Sequence, residues 1–293
     1  MNRPQADAVA ASSPLTLFVT GGQGMLAHAL RAEAAVRGHR VVAFSREDLD
    51  VTDRAAVHRA LAASRPHAVL HCAGFTAVDE AEADPDAAHA INADSAASIA
   101  ALCAGLGARF VYPSTDYVFA GDATRPYRPD DPVAPISAYG RSKLAGEQAA
   151  ARAGNALVVR TSWLFGVGGR NFVSSILERA RAGEPLRVVN DQRGSPTWTA
   201  DLASVILRLL ECRAPAGVYH AANSGEATWY DLACAALRCA GLSAPVLPVT
   251  TSDMASPAPR PRYSVLDCSA TAAIVGPIPH WRSALEKAIQ AGL

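Results

Sequence analysis

Lysine is nearly missing from this 293-residue chain. Its 27 basic residues are matched by 27 acidic ones, and every basic residue except Lys143 and Lys287 is an arginine. Balanced charge excludes a sequence-blind grip on nucleic acid, which needs clustered cations to displace counterions. It equally argues against a polybasic membrane patch. There is no run of about 18 uncharged apolar residues, so no spanning helix is expected and no membrane partner follows. Residues 1–14 mix Arg3, Asp7 and prolines with alanine and lack the apolar centre of a secretory signal. They read as a disordered tail. No C-x-x-C pair occurs among Cys72, Cys103, Cys212, Cys234, Cys239 and Cys268. The expectation is buried, reduced thiols in a cytoplasmic protein, with no metal site.

What the chain does have is rhythm. Short β-prone runs at 15–20, 41–44, 68–72, 109–112 and 156–160 alternate with helical patterns near 25–34, 53–64, 84–106 and 139–153. Strands of this length separated by helices imply an α/β fold, a doubly wound, Rossmann-like parallel sheet covered on both faces. The dinucleotide-binding domain is expected over 15–165, rejoined by a segment around 197–222. Residues 166–293 are expected to form mainly a smaller C-terminal α/β lobe that binds substrate. Its expected helices are 172–182, 199–211 and 281–291, with strands at 187–189 and 218–221 and a proline-rich stretch over 245–261.

The first strand runs into Gly21-Gly22-Gln23-Gly24-Met25-Leu26-Ala27, a G-x-x-G-x-x-A turn. Glycine permits the tight turn and the close approach of a pyrophosphate, and the following helix offers its free N–H groups to the anion. Ala27 is small enough for the helix to pack close to the sheet. The second strand ends Phe44-Ser45-Arg46, with no acidic residue to take a ribose hydroxyl. Arginine there suits a 2′-phosphate, so NADPH is favoured, with NADH left open. Asp50 and Val51 follow closely enough to border the adenine.

Lys143 follows Tyr139 by four residues, which places both on one helix face. In a chain with seven tyrosines and two lysines, chance seldom gives that pair. A nearby ammonium is expected to lower the phenol pKa, so that Tyr139 can give a proton to a carbonyl oxygen as hydride arrives at carbon. The lysine can also hydrogen-bond the nicotinamide ribose. The fourth strand runs into Ser114-Thr115, at the sheet edge where ligands gather. By chemistry alone, either hydroxyl could meet the substrate oxygen beside Tyr139.

These segments, with 46–53 (REDLDVTD), 73–82 (AGFTAVDEAE), 114–119 (STDYVF), 160–165 (RTSWLF) and 191–197 (DQRGSPT), resemble the extended short-chain dehydrogenase/reductases. Within them the chain is similar to the dTDP-4-dehydrorhamnose reductase family, from about Leu15 onward. The late Arg260-Pro261, with Ser264 and Leu266, is similar to that family's arginine-proline substrate loop. The resemblance implies NADPH-dependent reduction of the 4-keto group of dTDP-4-dehydro-L-rhamnose, with Thr115, rather than Ser114, joining Tyr139 and Lys143. It implies cofactor contacts from Gly21, Gln23, Gly24, Met25, Leu26, Ser45, Arg46, Asp50 and Val51. Further cofactor contacts are implied from Cys72, Ala73, Gly74, Thr76, Asn92, Tyr139 and Lys143. The dTDP-4-keto-6-deoxysugar would meet Thr76, Val78, Thr115, Asp116, Tyr117, Tyr139, Trp163 and Arg260.

Some members of that family bridge a homodimer through magnesium held by glutamates. Ala29 and Ala200 stand near those positions here, so the metal is not carried over and the dimer is left open. Two other functions are compatible. One is reduction of another dTDP-4-keto sugar. The other is a non-catalytic subunit like the methionine adenosyltransferase β type, which the intact Thr115, Tyr139 and Lys143 disfavour.

Overall fold

The computed structural model describes residues 13–293; residues 1–12, most of the expected tail, lie outside the described residues. Six strands form the central sheet: β1 (Thr16–Thr20), β2 (Arg40–Phe44), β3 (Ala68–His71), β4 (Arg109–Thr115), β5 (Ala156–Thr161) and β6 (Gly217–His220). Their order is β6-β5-β4-β3-β1-β2, and every pairing is parallel. The order reverses direction at β1. The carboxyl ends of β1 and β3 therefore border a crevice, the place where doubly wound sheets take ligands.

Alternation along each strand sorts the core into two layers. Leu17, Val19, Leu70, Val111 and Val159 point to one face and meet Leu26 and Leu30 of helix Met25–Val36, with Leu202, Ile206 and Leu209 of helix Thr199–Glu211. Phe18, Val69, Phe110 and Tyr112 point to the other face, against Leu61, Ile99, Cys103 and Ala150. A third cluster unites Phe165, Ile176, Leu186, Leu232, Trp281 and Leu285 in the C-terminal half.

The single helix expected over 84–106 is instead three pieces. Pro85–His89 and Ser95–Leu106 are α-helical, and Ala90–Asp94 between them is a wider π turn. A separate short helix, Val78–Ala83, precedes them. Two side-chain hydroxyls bond the carbonyls of this π turn. The Ser95 hydroxyl donates to the Ile91 carbonyl at 2.6 Å, while the Asn92 carbonyl accepts from the Tyr112 hydroxyl at 2.7 Å. A Cβ on Gly146 would collide with both that hydroxyl and that carbonyl, so the close approach of helix Ala138–Arg152 depends on glycine. The thiols also depart from expectation. All six cysteines are free, but Cys212 and Cys239 are exposed rather than buried.

Candidate active site

The glycine turn has the backbone its composition requires. Gly21 sits at φ +65°, where a Cβ would lie 2.6 Å from the Ala73 nitrogen. The end of β1 is thereby pressed against the segment leaving β3. Gly24 is the N-cap of helix Met25–Val36 and gives it no side-chain cap. The first-turn N–H groups are left for an anion.

A cleft of about 620 Å³ opens over this turn. Gly21, Gln23, Gly24, Met25 and Leu26 form its floor, and Arg46, Asp50 and Val51 one end. Cys72, Ala73, Gly74 and Thr76 line the exit from β3, and Tyr139 and Lys143 line the far wall. Ser45 borders an adjoining hollow that shares Gln23 with this cleft, and its backbone N–H and its hydroxyl are tied into a turn with Asp48 at 3.0 and 3.2 Å. Asn92 is buried beneath the lining. Its amide bonds both backbone groups of Phe75, at 2.9 and 3.0 Å, and the Ser142 hydroxyl at 2.9 Å. It shapes the loop carrying Gly74 and Thr76 rather than the cleft surface.

Helix Ala138–Arg152 presents Tyr139, Lys143 and Glu147 at four-residue intervals, on one face. Ser137 caps the helix through the Gly140 N–H at 3.1 Å. Glu82 accepts from the Ala138 N–H at 2.6 Å, a carboxylate at the positive end of the helix. Farther along, Glu147 forms a buried two-pronged pair with Arg160 of β5, at 2.9 and 2.8 Å. Both ends of the face bearing Tyr139 and Lys143 are thus fixed.

Lys143 does not lower the Tyr139 pKa as expected. Burial dominates and pushes the phenol up to about 12, opposed only in part by the Thr115 hydroxyl. The lysine Nζ donates instead to the Pro113 carbonyl at 2.7 Å and lies 4.1 Å over the Tyr112 ring. Burial lowers the lysine pKa to about 8. The phenol therefore enters the site protonated, the form a proton donor needs.

Thr115 closes β4 beside this helix. Its hydroxyl donates to Asp116 at 3.1 Å and accepts from the Tyr117 N–H at 3.1 Å. Asp116 was expected to face a sugar. Its carboxylate is buried and is also held by the Ser264 hydroxyl at 2.5 Å, so it joins β4 to the 264 segment instead. Tyr117 meets Tyr139 edge-on at 5.7 Å. Arg260 lies near Tyr117 and pairs with Asp79 at 2.8 Å, one residue beyond Val78. Trp163 follows Thr161 of β5 by two residues. It adopts φ +48° and stacks on Trp229 at 3.6 Å, with Gly194 against its ring.

Further residues line the cleft beyond those implied by the resemblance. Ser114 and Thr161, on the paired ends of β4 and β5, line the cleft with buried hydroxyls that have no hydrogen-bond partner. An orphaned buried hydroxyl costs free energy unless a ligand supplies a partner. His71 also lines the cleft and takes a neutral form. Its Nε2 bonds Ser95 and its Nδ1 bonds Thr20, both at 2.9 Å, and burial lowers its pKa to about 3. Gly168, Gly169 and Arg170 enter from the C-terminal half. Among the described residues the charged lining thus comprises Arg46, Lys143 and Arg170 against Asp50 alone, a surplus of positive charge that suits a polyanion.

Comparison with known proteins agrees with this geometry. A dTDP-4-dehydrorhamnose reductase of Streptomyces griseus is 46% identical over 282 residues, covering 94% of this chain and 93% of the relative. A dTDP-4-keto-6-deoxy-D-glucose reductase of Streptomyces niveus is 43% identical, covering 92% and 95%. The crystal structure of a Bacillus anthracis dTDP-4-dehydrorhamnose reductase in complex with NADP superposes with a TM-score of 0.91 at 36% identity, covering 95% and 99%. The family described as RmlD substrate binding domain matches residues 15–293. On that match, this chain belongs to the RmlD family.

Proposed function

We propose that this chain is an NADPH-dependent reductase that converts the 4-keto group of dTDP-4-dehydro-L-rhamnose to the hydroxyl of dTDP-L-rhamnose. One observation carries the reading: a protonated Tyr139 and a fixed Lys143 share a cleft with a glycine turn and two partnerless hydroxyls. The cradle at Gly21, the cationic surplus and the orphaned Ser114 and Thr161 hydroxyls all fit a dinucleotide. When bound, the dinucleotide supplies the hydride. Gly21 to Leu26 would hold its pyrophosphate, Arg46 a 2′-phosphate, and Lys143 the ribose next to the nicotinamide.

The chain's own part is proton delivery. The Tyr139 Oη–H bond breaks toward the ketone oxygen as C4 of the sugar gains its hydride, which leaves an alcohol and a tyrosinate. Lys143, positive below about pH 8, would hold the ribose and so present the nicotinamide beside Tyr139. Thr115 orients the ketone oxygen. Tyr117 stands beside Tyr139, and Arg260 beside Tyr117, for the nucleotide part of the substrate. All six cysteines are free, which suits the reducing cytoplasm.

The test is NADPH oxidation with a panel of dTDP-4-keto-6-deoxysugars, with product stereochemistry read by NMR. Turnover of dTDP-4-dehydro-L-rhamnose to the L-rhamno product is expected. Preference for another sugar of the panel would move the assignment to a sister 4-ketoreductase, a reading favoured by the 43% identity to the Streptomyces niveus relative. Silence on the whole panel would leave a non-catalytic subunit.

A further inference from the structure

We infer that Arg170, from the C-terminal half of the chain, is a pyrophosphate-binding residue of the dinucleotide cleft. The inference rests on the reading of that cleft as a dinucleotide site. Three observations carry it.

The first is position. Arg170 lines the same cleft as the glycine turn, although about 145 residues separate them in sequence. Its neighbours on both sides touch Met25, the first residue of the helix after that turn. A Cβ on Gly169 would lie 2.8 Å from the Met25 Cγ, and the Asn171 Nδ2 is 3.5 Å from the Met25 Sδ. One residue earlier, a Cβ on Gly168 would lie 3.1 Å from the His28 Cβ. The loop is pressed against the first turn of helix Met25–Val36, where the pyrophosphate of a dinucleotide would bind.

The second is rigidity. Asn171 caps helix Phe172–Arg181 with a reciprocal pair of bonds to Ser174, both about 3 Å. Its amide also holds the Gly166 carbonyl at 2.9 Å and the Gly169 carbonyl at 3.2 Å. The backbone that carries Arg170 is therefore fixed, although its side chain is exposed.

The third is charge. Arg170 has no carboxylate within ion-pair distance among the described residues, and only its Nε is used, toward Ser175 at 3.3 Å. Its terminal nitrogens keep their fork for a phosphate. Arg46 lies by the end of β2, where it would meet a 2′-phosphate, so the two arginines divide the dinucleotide between them.

The division makes a sharp test. Dissociation constants of the full chain for NADPH and for NADH are measured by nucleotide fluorescence, without substrate. Arg170→Ala should weaken both by a similar factor, about tenfold, because both carry the pyrophosphate. Arg46→Ala should weaken NADPH alone. Unchanged constants in Arg170→Ala, with tight binding by the parent, would overturn this inference and leave the cofactor reading intact. Loss confined to NADPH would overturn it too, by moving Arg170 to the 2′-phosphate. A parent chain that binds neither dinucleotide would overturn both readings. Arg170 is exposed, so its loss leaves the core intact, and circular dichroism of the variant checks this.

Discussion

The Lys143 ammonium donates to the Pro113 carbonyl at 2.7 Å while resting 4.1 Å above the Tyr112 ring. Helix Ala138–Arg152 and strand β4 thus hold the cation between them, in a pocket sized for a compact group. A guanidinium is broader, planar and stiffer. Lys143→Arg should therefore fold but lose at least about tenfold in kcat, despite keeping the charge. Steady-state assay with saturating NADPH tests this. A variant with parental kcat would mean that charge alone matters at this position.

The same burial sets a pH limit. Desolvation lowers the Lys143 pKa to about 8, so the cation is present below that pH and is lost above it. Tyr139, raised to about 12, stays protonated throughout the range. The kcat/KM of the parent should fall as pH rises through about 8. A flat profile to higher pH would show that the cation is not needed.

Tyr139→Phe removes the proton donor and little else. The ring that meets Tyr117 edge-on at 5.7 Å is kept. The kcat should fall by about 10²–10⁴-fold, the usual contribution of a positioned acid, with a much smaller change in NADPH affinity. Equal losses in the two would assign the hydroxyl to cofactor binding instead.

How much of this was legible beforehand depends on whether the determinant was local. The glycine turn, the Tyr139–Lys143 spacing and the βα alternation each sit within a few residues, and the structure has them where the pattern placed them. The strand at Gly217–His220 pairs with β5 from across an intervening stretch of more than 50 residues. The π turn was not legible, and one of the hydroxyls bonded to it, that of Tyr112, is 20 residues away. The family resemblance implies a cofactor contact for Asn92 and a sugar contact for Asp116. Each instead satisfies buried partners, Phe75 and Ser142 for one, Thr115 and Ser264 for the other. Arg170 stood in unremarked sequence, and only the fold brings it to the cleft.

Gly146 offers a purely steric prediction. An added methyl would collide with the Tyr112 hydroxyl and the Asn92 carbonyl, two groups already bonded to each other and buried in the core. Neither is the free end of a flexible chain. Gly146→Ala gains helix propensity yet should lose about 1–3 kcal/mol of stability to overpacking. Urea unfolding measures it. A stabilised variant would show that helix Ala138–Arg152 can shift outward at little cost.

Asp116 ties stability to pH. Burial raises its carboxyl from an ordinary 3.8 to about 7, against the opposing hydrogen bonds from Ser264 and Thr115. Between those values the folded chain binds a proton that the unfolded chain releases. The stabilisation is full below about pH 4 and is lost as pH rises through about 7. Two buried histidines act in the opposite sense. His71 and His220 are lowered to about 3 and about 4, so their contribution is lost as pH falls from the ordinary 6.5 through those values. The parent curve alone mixes these effects, so the informative quantity is the Tm of Asp116→Asn minus that of the parent. Asparagine keeps an acceptor oxygen and does not titrate. The difference should become more favourable to the variant as pH rises from about 5 to about 8. A constant difference would mean that Asp116 stays ionised in the fold, and the carboxylate would then be held by Ser264 and Thr115 strongly enough to outweigh its burial.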